Sequence, residues 1–410
     1  MEHTAMPVVV LGGAVAALSV ARSLWLSGVR VDLLGDGSQS PARHSRACRE
    51  YVPPADADAV ADGWMTWLLN ESAPAVLLPC SDEGVEFIAR RRGELEAAGH
   101  RPWEANDEGS LNMLDKARAY EIARSAGVAA PQTVTVTSLA ELAGLNFPFP
   151  CGLKPLYGHR FRRQFKTAAK GVTVASAEHA RRVLAPILEA GHPMLLTEII
   201  PGPDDQYRSY FTYLDEHGEP LLNFTKRKLR QYPTHFGLGC YHLTEWNPEV
   251  ARLGFQFASA AGLRGLVNME FKLDSRDGEL KLIECNPRFT ETTGQVRAAG
   301  IDLALLAYRN LLGLSLPRVD SFKDHLAMWY PVDDIRAFRE YRRNGELTTA
   351  AWLRTFAHRH VPLIFSWRDP KPSLHIWRER TYALARRLSQ SPQVPQQSYD
   401  GKLDPYKAAV

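Results

Sequence analysis

The chain has 410 residues, of which 45% are hydrophobic and 23% charged, with a formal net charge of +3. That length exceeds one typical core and fits two or three domains, the charge is too small to argue for nucleic acid, and no apolar run reaches the roughly 18 residues of a membrane helix. Five cysteines (Cys48, Cys80, Cys151, Cys240 and Cys285) form no CxxC pair, which speaks against a disulfide framework or zinc site and for a reducing cytoplasm.

The opening MEHTAMPVVVLGG lacks the basic region, apolar run and cleavage site of a secretory signal. Residues 7–11 (PVVVL) read as a buried strand, Gly12-Gly13 as a tight turn, 14–26 as an Ala-rich helix and 29–34 (VRVDLL) as the next strand. This is half of a doubly wound, Rossmann-like fold. The turn reads GGAVAA rather than GxGxxG, and only Asp32 could serve as a ribose acid. A scaffold without a dinucleotide is therefore favoured over an NAD-dependent oxidoreductase. Residues 75–79 (AVLLP) form another strand that runs into Ser81-Asp82-Glu83. Ligands bind beyond the carboxyl ends of such strands. Ser81 also suits a helix N-cap with acids in the first turn, the stronger of two compatible readings.

Residues 112–131 (NMLDKARAYEIARSAGVAAP) predict a helix from Asp115, stopped at Gly127, with Pro131 opening the next segment. In 149–155 (FPCGLKP), Lys154 sits in an apolar strand and needs a partner, for which a phosphate is suited. A basic stretch follows between Gly158 and Gly171, carrying Arg160, Arg162, Arg163, Lys166 and Lys170. Next come LLTEIIPG at 195–202 and hairpin strands around Glu216-His217-Gly218. In 225–230 (TKRKLR) alternation puts Lys226, Lys228 and Arg230 on one face and Arg227 on the other. A solvated edge strand protected by charge would look the same. Gly237 and Gly239 would admit a ligand close to the backbone, and His235 reads as loop surface.

The most telling stretch is 267–288 (VNMEFKLDSRDGELKLIECNPR). Two strands flank Arg276-Asp277-Gly278, with Gly placed to close a three-residue loop. Ser275 then faces Glu279, Glu270 faces Glu284, and Asn268 faces Asn286. The other face is core: Val267, Met269, Phe271, Leu273, Ile283 and Cys285. Two carboxylates directly opposed repel, so a cation is expected between them, and a hard divalent ion takes such oxygen ligands together with substrate phosphates. Asn286-Pro287-Arg288 adds an oxygen ligand, a chain stop and a phosphate-binding fork.

Glu270 in NMEF followed by Glu284-Cys285-Asn286-Pro287-Arg288 resembles the E…ExNPR metal signature of the ATP-grasp superfamily. Within it, TKRKLRQYPTHFGLG is similar to the branch of D-aspartate-ligase-like and carbamoyl-phosphate-synthase-large-chain-like proteins. The resemblance runs over about residues 5–315. It implies an α/β and α+β architecture: a Rossmann-like domain, a two-subdomain ATP-grasp fold and a C-terminal helical extension. The boundaries expected are 1–110 for the first domain, 111–196 for the N-terminal ATP-grasp subdomain with its lid, 197–315 for the C-terminal subdomain, 316–388 for the extension and 389–410 for a flexible tail.

The resemblance also implies roles. Lys116 and Lys154 would hold nucleotide phosphates, Glu198 with Ile199 and Ile200 would form the adenine hinge, and Asp205 is a second candidate acid there. Glu270, Glu284 and Asn286 would hold Mg2+, with Mn2+ as a substitute. Arg288, Arg227 and Lys228 would steady an acyl phosphate, and Arg297 is another anion candidate on a helix facing the site. A basic, more ordered lid replaces the usual glycine-rich phosphate loop. The function implied is an ADP-forming carboxylate–amine ligase that uses ATP, against the alternatives of an NAD oxidoreductase or a non-catalytic ATP-binding module. Its partners would be small-molecule carboxylate and amine substrates, with amino acids, a peptide or a cell-wall precursor all open. No nucleic acid and no membrane span are expected, the location would be cytoplasmic, and the oligomeric state and general base are not readable.

Overall fold

The computed structural model describes residues 6–54, 56, 59–103, 106–142, 145–165, 171–316, 319 and 321–389. Lys166, Lys170, the side chains of Arg162 and Arg163, and the tail from 390 on lie outside the described residues.

The first sheet is parallel, in the order β3-β2-β1-β4-β5. Its central strands β1 (Val8–Leu11), β2 (Val31–Leu34) and β4 (Val76–Pro79) are buried at every position, as expected where helices cover both faces. Short strands β3 (Glu50–Val52) and β5 (Arg101–Pro102) form the edges, and α1 (Val15–Leu26), α2 (Val60–Asn70) and α3 (Asp82–Ala97) make the crossovers. Ser81 Oγ accepts from the Gly84 N–H at 3.1 Å and caps α3, so Asp82 is fixed at the carboxyl end of β4.

Two capped helices lead out of this unit, α4 (Asp107–Leu114) and α5 (Lys116–Ser125), with Asp115 receiving the Arg118 N–H at 3.1 Å. An antiparallel sheet follows: β6 (Thr133–Val136), β7 (Cys151–Pro155), β8 (Val172–Val174) and β9 (Met194–Glu198), in the order β6-β9-β7-β8. It carries α6 (Gly158–Phe165) and α7 (Ala177–Glu189).

The third sheet holds seven strands in the order β14-β13-β10-β11-β12-β15-β16. These are β10 (Tyr207–Leu214), β11 (Pro220–Tyr232), β12 (Leu238–Thr244), β13 (Gly265–Leu273), β14 (Leu280–Asn286), β15 (Leu326–Trp329) and β16 (Arg359–Val361). One face packs Tyr210, Met269, Phe271 and Leu282 against α5 and α8 (Pro248–Ala260). The other face changes character along the strands. The register sets Leu222, Tyr213 and Leu266 in one row, then Phe224, Phe211 and Asn268, then Lys226, Ser209 and Glu270, then Lys228, Tyr207 and Lys272. Its apolar end joins the core of the first domain beside α9 (Thr293–Ala298) and α10 (Leu303–Leu311). Its polar end opens into a cleft.

Three sequence expectations change here. Asp274, not Ser275, faces Glu279, so the hairpin loop has four residues (the Asp274 N–H bonds the Glu279 carbonyl at 2.8 Å). A bulge at Ile283 then restores Glu270 opposite Glu284, turning Ile283 out of the core and Leu282 into it. The pairing also shifts between Lys228 and Arg230, and Arg230 leaves the row of Lys226 and Lys228 to bind buried Asp334. Finally, 316–388 is not only helical. Besides α11 (Pro331–Arg343), α12 (Thr349–Arg354) and α13 (Lys371–Ser389), it supplies β15 and β16 to the sheet.

Candidate active site

The polar end of the sheet, the end of β9 and the strands β7 and β8 enclose a cavity of about 310 Å³. Its walls divide by chemistry. Leu153, Val172, Ile199, Ile200, Ile283 and Phe236 are apolar, whereas Lys154, Lys228, Lys272, Glu198, Glu270 and Glu284 are charged. At Ile283 and Glu284 it meets a narrow recess lined by Asp82, Lys116, Tyr120, Gly158, His159 and Asn286. Ile283 and Glu284 thus belong to both spaces.

Within the cleft, Lys228 Nζ lies 2.9 Å from Glu270 Oε1 and 4.0 Å from the centroid of the Tyr207 ring. The cation expected between the glutamates is, in part, this ammonium. Lys272 Nζ donates to the Ile200 carbonyl at 2.8 Å, and its pKa is lowered by burial and by Lys228. Glu198 ends β9, where Oε2 receives the Gln132 N–H at 3.0 Å and Oε1 receives Arg276. Behind the row, fully buried Lys226 bonds His242 Nδ1 at 2.9 Å. Burial and the neighbouring Lys228 outweigh the pull of Glu270 and bring Lys226 down to about 7. His242 is pushed well below the usual histidine range by burial and by both lysines.

Arg288 leaves β14 towards the first domain. Nε donates to Asp82 Oδ1 at 2.6 Å and Nη2 to Asn286 Oδ1 at 3.0 Å. Asp82 and Glu284 raise its pKa against the effect of burial. The carboxyl end of β4 is thereby tied to the hairpin, and Asp82 joins Glu284 and Asn286 at the recess. The lid segment begins with α6 rather than a glycine-rich loop, and His159 bonds Glu86 of α3 at 2.8 Å while Arg160 pairs with the same carboxylate.

Among the residues singled out from sequence, Lys154, Glu198, Ile199, Ile200, Lys228, Glu270 and Glu284 line the cleft, and Lys116 and Asn286 line the recess. Arg227 and Asp205 stand elsewhere: they pair with each other at 2.8 Å on the opposite face of β11, and neither lines the cleft or the recess. Arg297 pairs with Asp302 at 2.8 Å. Sequence reasoning passed over Lys272, although it follows Glu270 by two and so shares its face. It also missed Ile283, hidden by the bulge, and His235, a cleft-lining residue at φ 69° that donates its N–H to Asp204. Gly239 serves the protein rather than a ligand: a Cβ there would lie 1.9 Å from His242 Nε2.

The donor set fits a divalent cation held jointly with phosphate. It offers two carboxylates and an amide, and the described residues contain no group of three or more His, Cys, Asp or Glu side chains that would make a self-sufficient metal cage.

No protein-family model matches the chain. D-aspartate ligase from Enterococcus faecium is 26% identical over 353 residues, covering 80% of this chain and 83% of that protein. The C-terminal section of carbamoyl phosphate synthase large chain from Methanopyrus kandleri is 25% identical over 274 residues, 63% of this chain and 45% of that protein. The crystal structure of L-amino acid ligase from Bacillus licheniformis superimposes with a TM-score of 0.59 at 14% identity, covering 76% of each chain. A biotin carboxylase β,γ-ATP complex from Campylobacter jejuni gives 0.60 at 14% identity, over 80% of this chain and 75% of that one. The chain is a homologue of D-aspartate ligase and of carbamoyl phosphate synthase large chain, with the fold of the ATP-grasp ligases.

The turn after β1 speaks against the dinucleotide alternative. The Gly13 N–H, which would face a pyrophosphate, donates to Asp36 Oδ2 at 2.9 Å. Asp32, which would take a ribose, is held in a two-pronged pair by Arg49 at 2.8 and 2.6 Å. A carboxylate stands where that reading needs a phosphate.

Proposed function

We propose that the protein is an ADP-forming ligase that activates a small carboxylate as an acyl phosphate and joins it to an amine. The observation that carries this is the opposition of Glu270 and Glu284 at the junction of the cleft and the recess, with Lys154, Lys228 and Lys272 facing the same space. In this reading the apolar wall of Ile199, Ile200 and Ile283 takes the adenine, and Glu198 the ribose hydroxyls. Lys154 and Lys116 take the phosphates. Glu270, Glu284 and Asn286 would hold magnesium, which when bound neutralises charge on the phosphates. The strand order 3-2-1-4-5 supports a Rossmann-like first domain that lends Asp82 to the substrate end.

The reaction balances simply. A carboxylate oxygen attacks the γ-phosphorus and the bond to ADP breaks. The amine nitrogen then attacks the carbonyl carbon, the acyl–oxygen bond breaks, and phosphate departs carrying the amine's proton. Such transfers depend on positioning and charge neutralisation. Lys228 and Lys272 meet the phosphoryl group, while Arg288 holds Asn286 and Asp82 in place and adds positive charge beside the developing oxyanion. Aspartate is the first carboxylate to test, given the relative named D-aspartate ligase, and the absence of a membrane-crossing helix among the described residues is compatible with work in the cytoplasm. Incubation with ATP, magnesium and amino acids tested singly and in pairs should release ADP and phosphate only with a particular pair and give a condensed product by mass. ADP release without any condensed product would overturn the ligase reading.

A further inference from the structure

Helix α13 lies between two cavities of opposite chemistry, both remote in sequence from the hairpin and the cleft-lining strands. On one side is a basin of about 510 Å³ whose polar lining is Arg43, His44, Ser45, Arg46, Lys371, His375 and Arg378, with no carboxylate among them. On the other is a groove of about 740 Å³ with aliphatic walls at Val361, Leu363, Ile364 and Ile376. Its rim exposes Phe365 and Trp377, and next to them stands Trp367; Trp367 is 87% and Trp377 75% exposed, and Leu374 on the same helix is 66% exposed. Water is a poor neighbour for so much apolar surface.

The charges around it are predominantly positive. From 365 to 382 the chain carries Arg368, Lys371, Arg378 and Arg380 against Asp369 and Glu379, and Asp369 is fully buried in its pair with Arg22 at 2.9 Å. Positive charge is concentrated here: the His44 and His375 rings lie 3.6 Å apart, and burial, His375, Arg43 and Arg378 together lower His44 against the opposing pull of Glu379. A second copy of the chain would bring cations against cations across a two-fold interface, so self-association does not relieve the crowding. Aromatic and aliphatic side chains interleaved with arginine are what an anionic membrane surface receives.

We infer that this face docks on a bilayer containing anionic phospholipid, with lipid phosphates over the Arg43–Lys371–Arg378 basin and acyl chains against Phe365 and Trp377 at the rim of the groove. The protein then rests on the membrane without crossing it, which is consistent with the absence of any spanning helix among the described residues.

The test uses the full chain and vesicles of phosphatidylcholine with or without one third phosphatidylglycerol. Sedimentation should carry the protein down with the anionic vesicles only, with tryptophan emission shifted to the blue. Each cation removed near the surface weakens partition about fivefold (about 1 kcal/mol), so the doubly reversed Lys371→Glu/Arg378→Glu chain should fail to sediment. Trp367→Ser/Trp377→Ser should lose both the blue shift and most of the binding while melting at the wild-type temperature. Equal sedimentation of wild type with neutral and anionic vesicles, unchanged binding by either double variant, or a single-stranded oligonucleotide that competes the vesicles away at equal charge would overturn the inference.

Discussion

Glu270 and Glu284 are opposed across a ladder, an arrangement that is unfavourable unless positive charge intervenes. Lys228 supplies part of it, on Glu270. The proposed site therefore predicts that Glu284→Gln lowers kcat for ADP release by about 10²–10³-fold, the loss typical of one electrostatic partner of a transition state, and leaves the melting temperature unchanged or higher. Full turnover by that variant would remove Glu284 from the chemistry. Lys226 makes a different prediction, about stability. Unfolded, it has an ordinary lysine pKa of 10.5; folded, it falls to about 7. Between these values the unfolded chain binds more protons, so stability rises with pH across that window, and below about 7 the full burial penalty is present. Lys226→Met should therefore gain most over wild type near pH 6, with the gain shrinking by roughly 1 kcal/mol per pH unit above neutrality. Urea melts at several pH values measure this, and parallel pH profiles for both proteins would refute it.

At the scale of elements, the hairpin shows what a sequence pattern can and cannot deliver. Alternation in NMEFKL and LIECN was enough to oppose Glu270 to Glu284. It could not reveal that the loop is one residue longer and β14 carries one bulged residue, because the two changes cancel at that pair: Gly278, at φ 74°, serves either loop. Ile283 consequently faces the cleft. The same limit applies to β11, where a bulge at Leu229 sends Arg230 to Asp334; Arg227 is the opposite case, since its position on the far strand face already followed from alternation. Helix α6 carries a further prediction. It is fastened to α3 by one carboxylate, Glu86, which receives His159, Arg160 and Arg90 and is held well below the usual carboxyl range despite burial. Glu86→Ala should free this end of the lid, raising KM for ATP about tenfold with kcat nearly kept, in the manner of a lost positioning contact rather than a lost chemical one. A fall in kcat with KM unchanged would assign Glu86 another role.

Across the whole molecule, the strands of the first sheet and the central strands were readable because long apolar runs and period-two alternation are strong signals. The C-terminal part was not. β15 and β16 have four and three residues, too short to show a period, and they pair with a sheet edge whose other strands lie far away in sequence. Their addition turns residues 316–388 from a cover into part of the sheet and brings α13 with its exposed Trp377 to the surface beside Arg43 and Arg46. The recess, likewise, needs Asp82 from the end of β4 and Arg288 from beyond β14, a meeting that no local pattern announces.

The central claim is that a carboxylate oxygen of the substrate is passed to phosphate. Aspartate labelled with ¹⁸O in its carboxylates, incubated with ATP, magnesium and the amine identified in the paired screen, tests it directly. One ¹⁸O atom should appear in inorganic phosphate for each ADP released. Phosphate free of label, with a condensed product still formed, would contradict the acyl-phosphate account.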